Sequence, residues 1–243
     1  YYDWYFFTDF PNKYECWWGI DILPKVNCSN KKYREFILGE NGVIRKYMKM
    51  GASGYRLDVA DELPDDFIKG IRDAVKDEKK DGIVLGEVWE DASNKIAYGM
   101  RKEYLGGSEL DSVMNYPLRT GIINYIKYGD FSGLRYATET IYRHYPKCVS
   151  DCLMNFLGTH DTERILTVLG GDEAGNLPLC ELAVKKMTKE QRRTGIDRLK
   201  QAYTVVATVY GTPSIFYGDE AGLEGYSDPF CRMPYPWDSI ENE

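Results

Sequence analysis

The chain has 243 residues, enough for one large domain or two small ones, and its 43% hydrophobic and 28% charged content excludes a disordered polymer. A net charge of −7 disfavours a nucleic-acid partner, which would need a basic face against phosphate, and leaves open an uncharged ligand or a small acidic one in a local basic pocket. No run approaches the roughly 20 apolar residues that span a bilayer, and no basic, apolar leader opens the chain, which begins at Tyr1 as an internal piece would.

The aromatic opening, Tyr1 to Trp18, has no clear period and reads as loop or a small inserted subdomain. Residues 31–50 place Tyr33, Phe36, Ile37, Val43, Ile44, Tyr47 and Met48 at helical intervals, with a break at Gly39. The compact run GYRLDVA (54–60) follows. Phe67, Ile68, Ile71, Ala74 and Val75 then form one helical face, with Asp65 and Asp66 at the end where they complement the dipole. After Asp81-Gly82 comes IVLGEVW (83–89), rich in β-branched residues. A helix is expected over 92–105, then a short run SVMNYP (112–117), helices near 119–128 and 131–144, and the run NFLGTHD (155–161). A long helix over about 189–210 and the run PSIFYGDE (213–220) complete the set. Short apolar runs alternating with helices predict an α/β fold with a parallel sheet and helices outside it. In a β/α barrel, functional groups sit at the C-terminal ends of strands, and Asp58, Glu87 and His160-Asp161 fall there.

Six cysteines (Cys16, Cys28, Cys148, Cys152, Cys180 and Cys231) form no C-x-x-C pair and read as scattered free thiols. With only two histidines a zinc cluster is disfavoured, and neither His144 nor His160 is accompanied by a G-x-S-x-G elbow. No dinucleotide or P-loop glycine pattern is present. Acidic groups remain as the chemistry.

GYRLDVADE (54–62), GEVWED (86–91) and FLGTHDTERI (156–165) resemble three of the four signatures of the α-amylase superfamily (glycoside hydrolase family 13), in family order. GTPSIFYGDEAGLEGYSDPFCRMPYPW (211–237) resembles the segment after the last barrel strand. VADE and LGTHDTERI resemble the neopullulanase, cyclomaltodextrinase and maltogenic amylase group, whose members often carry a small hydroxyl residue where Thr159 stands.

The resemblance implies a (β/α)8 TIM barrel and a retaining glycoside hydrolase of α-glucans such as maltooligosaccharides, cyclodextrins, pullulan or starch, with transglycosylation as a further capacity. Carried over residue by residue, Asp58 becomes the nucleophile, Glu87 the general acid/base and Asp161 the third carboxylate. Arg56, two residues before Asp58 on the same strand face, would orient it, and His160 would bond sugar hydroxyls. Trp89, Tyr116 and Tyr217 are candidates for stacking on sugar rings or for core packing, with Trp89 and Tyr116 placed among the substrate contacts. Asp219 and Glu220 either line a subsite or cap a helix, and the same alternatives hold for Asp228 and Arg232 in the following loop.

The first family signature, an Asp and a His on the third barrel strand, is absent. The chain therefore reads as a partial barrel, about strands four to eight with their helices (31–243). Residues 1–30 read as the end of the domain inserted after strand three, with WWGIDILPKVN (17–27) leading back in. No metal ligand is assigned, and calcium is an expectation for the complete protein only. A homodimer is a further expectation, as is an absence of nucleic-acid and membrane partners. Cytoplasmic and secreted locations both stay open. The alternatives are a non-catalytic carbohydrate-binding or transporter-associated relative, and an inactive piece of an enzyme.

Overall fold

The computed structural model describes residues 1–237, so the end of the expected barrel segment, 238–243, lies outside the described residues. The chain divides into two compact units, residues 1–87 with 94–112, and residues 88–93 with 113–243.

The first unit opens with a small hairpin, β1 (Phe7–Asp9) and β2 (Lys13–Tyr14), carrying packed rings such as Tyr2 on Phe7. Helix α1 (Lys31–Leu38) starts where Asn30 accepts from the N–H groups of Lys32 and Tyr33, satisfying orphan donors of the first turn. It stops at Gly39, as the sequence predicts, and α2 (Val43–Lys49) resumes. Strand β3 (Gly54–Leu57) leads through a turn into α3 (Asp65–Glu78), which returns the chain to β4 (Ile83–Gly86). The two strands pair in parallel, Gly54 with Ile83 through Leu57 with Gly86. Gly54 is required here, because its φ is +156° and a Cβ would strike the carbonyl oxygen of Ile83. The apolar face of α3 (Phe67, Ile68, Ile71, Ala74, Val75) is buried, each large side chain stabilising by roughly 1.5–3 kcal/mol. Arg72 and Lys76 on the same helix grip Asp111, whose carboxylate also accepts from the N–H of Val84 (2.8 Å).

The helix expected over 92–105 is not formed. Residues 96–101 make a second hairpin, β5 (Ile96–Ala97) and β6 (Met100–Arg101). Its two-residue turn, Tyr98-Gly99, has positive φ at both positions (53° and 76°), the twist that closes antiparallel strands and that no helix contains. The chain leaves the first unit within β7 (Ser112–Val113).

In the second unit Asn115 caps α4 (Tyr116–Tyr128), which ends at Gly129 in the left-handed region. Helix α5 (Ser132–Tyr136) passes through one π turn (Ala137–Ile141) into α6 (Tyr142–His144), so the helical segment expected over 131–144 is present. After α7 (Lys147–Asp151), strand β8 (Met154–Asn155) bridges Met114 on one side and pairs in parallel with β9 (Thr212–Pro213) on the other. Between them run α8 (Ile165–Gly170), α9 (Leu179–Leu182) and the long α10 (Lys189–Thr208). A capping box, Thr188 with Gln191, starts α10. Leu166 and Leu169 of α8 and Leu199, Ala202 and Val206 of α10 are buried. The run 213–220 is strand only at its start and then turns, bringing Asp219 inside. All six cysteines are unpaired. No helix among the described residues is long and apolar enough to cross a membrane.

Candidate functional site

Strand register sets the first group. Leu57 and Gly86 are partners at the ends of β3 and β4, so the next residues, Asp58 and Glu87, leave neighbouring parallel strands at the same level. Glu87 N–H donates to Leu57 O (3.0 Å) and Ala60 N–H to Glu87 O (3.2 Å), which fixes the two exits. Because side chains alternate along a strand, Arg56 faces the same way as Asp58. Its Nη1 bonds Asp58 Oδ1, and its Nη2 lies 3.1 Å from Glu87 Oε2, close enough for an ion pair though not aligned as a hydrogen bond. One guanidinium thus serves both carboxylates. Their surroundings differ: the Asp58 side chain is 74% exposed and that of Glu87 5%.

Glu87 Oε2 also accepts the N–H of Val59 (2.8 Å). To make that bond Val59 takes a left-handed conformation, φ 41° and ψ 62°, which costs a β-branched residue about 1–3 kcal/mol. A cavity of about 390 Å³ adjoins the group, lined by Asp58 and Val59 together with Trp17, Leu23, Lys25 and Glu62.

The second unit carries the other polar pair. His160 Nε2 lies 3.1 Å from Asp161 Oδ2, and Arg232 Nη2 donates to Asp161 Oδ1 at 3.4 Å while its Nε is held by Asp228 (3.1 Å). The turn is built by the buried Thr159, whose hydroxyl accepts from Asp161 N–H (3.2 Å), and by Cys231, which donates to His160 O (3.3 Å). Trp89 stacks on Tyr116 with centroids 4.0 Å apart and planes 16° from parallel. Tyr116 is buried beneath it and packed edge-on to Phe156, so of the two rings only Trp89, 49% exposed, meets solvent. Tyr217 spends its hydroxyl on Met233 O (2.9 Å).

Sequence reasoning missed the support under the His160 turn. Arg164 is buried with Asp219 at 3.3 Å, and its guanidinium lies over the rings of Phe216 (4.4 Å) and Tyr217 (4.6 Å). Tyr203 donates to Asp219 at 3.2 Å. Burial pushes the Asp219 carboxyl up to about 6 even with Arg164 opposing it. A Cβ on Gly158 would run into that carboxylate, so Asp219 backs the turn directly and does not line an open surface. Arg232 as the partner of Asp161 was equally unreadable, although both residues stand in motifs quoted from the sequence. No group of three or more His, Cys, Asp or Glu side chains among the described residues could hold a metal ion.

The structure thus brings together Arg56, Asp58 and Glu87 in one unit, and His160 with Asp161, and Trp89 on Tyr116, in the other. Comparison with known proteins gives consistent results. Neopullulanase 2 of Thermoactinomyces vulgaris is 33% identical over 250 residues, 99% of this chain and 37% of that protein. Cyclomaltodextrinase of Geobacillus thermopakistaniensis is 32% identical over 247 residues, 98% of this chain and 36% of its own length. The chain therefore spans little more than a third of these relatives. The solved cyclic α-maltosyl-(1→6)-maltose hydrolase of Arthrobacter globiformis, in complex with maltose, superposes with a TM-score of 0.78 at 29% identity, covering 98% of this chain and 48% of that one. These likenesses put the fold in the (β/α)8-barrel family. Residues 4–243 match the family described as alpha amylase, catalytic domain, and to that family the chain belongs.

Proposed function

We propose that this chain carries the reacting carboxylates of a retaining glycoside hydrolase that cleaves α-glucosidic bonds in α-glucans. The observation that carries the reading is the single guanidinium of Arg56 serving both Asp58 and Glu87 at the ends of adjacent parallel strands. In this reading an Asp58 oxygen attacks the anomeric carbon as the glycosidic C–O bond breaks, and Glu87 delivers its proton to the leaving oxygen. Water then attacks the glycosyl-enzyme, returning its proton to Glu87 and freeing Asp58; a sugar hydroxyl in place of water gives transglycosylation. The exposure of Asp58 suits a nucleophile that must meet a carbon, and the Arg56 contact fixes its angle. Asp161 serves as the third carboxylate, His160 bonds sugar hydroxyls, and Trp89 offers a ring face to a pyranose.

The named relatives act on pullulan and cyclomaltodextrin, which supports the same substrate class here. The paired strands read as strands four to eight of a barrel, with residues 1–30 as the end of the inserted domain. The parallel pairings and the share of the relatives covered support this. A homodimer, expected from the resemblance alone, is checked by light scattering of the complete protein.

In the complete protein, Asp58→Ala and Glu87→Gln are each expected to abolish turnover of maltooligosaccharides with the fold intact. Glu87→Gln should keep activity on substrates whose leaving group needs no proton. Proton NMR of the fresh product should show the retained anomer. An inverted anomer, or full turnover without Asp58, would overturn the reading in favour of a different mechanism or a binding role.

A further inference from the structure

Three non-glycine residues among those described have positive φ: Val59 (41°), Trp18 (48°) and Tyr98 (53°). Val59 has its bond to Glu87 as a reason, and Tyr98 the hairpin turn it forms with Gly99. Trp18 and Tyr98 come from distant segments and converge on one carboxylate, Glu62. Trp18 Nε1 donates to Glu62 Oε1 at 3.2 Å and the Tyr98 hydroxyl donates to the same oxygen, while Lys25 Nζ lies 3.8 Å from Oε2. The bond to Glu62 holds the Tyr98 hydroxyl above its ordinary pKa.

A staple serving only stability would bury its rings, since burial is where aromatic side chains stabilise a fold. These two do the opposite: Trp18 is 76% exposed and Tyr98 70%. A left-handed backbone holds Trp18 in that state, the pattern that marks ligand clamps, and the hairpin turn at Tyr98-Gly99 presents Tyr98. Trp18 is stiffened from behind by Trp17, stacked at 4.8 Å with planes 8° apart. Trp17 in turn lines the cavity that also reaches Glu62 and Asp58, and its Nε1–H is buried with no hydrogen-bond partner. A buried donor without an acceptor is a cost that a ligand hydroxyl would remove.

The chemistry of the surroundings defines the ligand. Flat ring faces suit the C–H face of a pyranose, and a carboxylate and an indole N–H suit its equatorial hydroxyls. Glu62 is already balanced by Lys25, so the clamp favours a neutral molecule. We propose that Trp18 and Tyr98, tied to Glu62, form a glucosyl-binding clamp beside the Asp58 cavity that makes the enzyme select longer α-glucan chains. This rests on the hydrolase reading for its location, and deepens it.

The test measures KM for maltotriose and maltoheptaose with the complete protein, alongside maltoheptaose binding by intrinsic tryptophan fluorescence in the Glu87→Gln background. Trp18→Ala and Tyr98→Ala should each raise the maltoheptaose-to-maltotriose KM ratio about fivefold, and should weaken maltoheptaose binding similarly. Trp18→Phe should restore most of it, and Tyr98→Phe should fall between. An unchanged KM ratio with unchanged binding would overturn the clamp. So would equal weakening for both chain lengths with a lowered Tm, which is the mark of a structural staple. Loss of turnover in Asp58→Ala beside an unaffected ratio in Trp18→Ala would sink the clamp and leave the hydrolase reading standing. Trp18-dependent binding beside full turnover in Asp58→Ala would do the reverse.

Discussion

In the first unit, Arg56 reaches Asp58 from two residues away on the same strand and Glu87 from the adjoining strand. In the second, the turn bearing His160 and Asp161 rests on Arg164 and Asp219, which are 55 residues apart in sequence and meet only inside the fold. The first arrangement is local and partly open to water; the second is remote and dry. A partly exposed guanidinium can be altered at modest cost to the fold, whereas a buried ion pair, once broken, leaves a charge with nothing to answer it. The same contrast separates the residues proposed to set chemistry from those that set a platform.

Breaking the dry pair should give the largest effect. Asp219→Ala strands the Arg164 charge and is expected to destabilise the second unit by about 3–5 kcal/mol, read from the shift of the urea midpoint. The double change Arg164→Met with Asp219→Leu should recover much of that loss, and if it does not, the ion pair is not the source of the cost. Arg56→Lys sharpens the other side. It keeps the charge but cannot fork to two carboxylates, so kcat/KM should fall about 10–100-fold, or roughly 1–3 kcal/mol, with Tm nearly unmoved. A large fall in Tm would mean that Arg56 holds the fold as well.

Glu109 extends the contrast to pH. It is buried, with Asp65 and Glu103 as like charges and Lys102 opposing, and burial pushes its carboxyl up from 4.5 to about 7. The folded state therefore holds that proton more tightly than the unfolded chain. Its contribution is fully present below pH 4.5 and is lost as pH rises through 7. Asp219 acts in the same direction between 3.8 and about 6. Glu109→Gln, which cannot ionise, should gain on the order of 1–3 kcal/mol over the native protein at pH 8 relative to pH 5, in paired urea titrations. Equal gains at both pH values would mean that Glu109 is not the titrating group. The smallest effect is expected at Val59→Gly, where relief of the left-handed backbone should raise stability by up to about 1 kcal/mol.

The same division explains what the sequence disclosed. The unit β3–α3–β4 was legible because its strands are apolar runs, its helix has a clear face and its acidic start, and its candidate functional residues sit one step past the strand ends. The hairpin at 96–101 was not: Ile96, Ala97, Met100 and Arg101 fit a helical period, and only the Tyr98-Gly99 turn overrode it. The strands near 155 and 213 were recognised, but their pairing covers two residues each, so most of each run is turn. Asp219 reads as a subsite or helix-capping carboxylate and Arg164 draws no reading of its own, because nothing in their own neighbourhoods reveals that they are buried together.

The two parallel pairings also imply an order of events as the chain folds. Between Leu57 and Ile83 the chain makes one short 3-10 turn and one α-helix, and Asp111 then closes the unit through Arg72 and the N–H of Val84. Between Asn155 and Thr212 it must first lay down α8, α9 and α10. Bringing the ends of a longer loop together costs more entropy before any contact repays it. The β3–β4 pair should therefore form ahead of β8–β9, and protection of the Leu85 amide against hydrogen exchange should appear earlier in refolding than protection of the Thr212 amide.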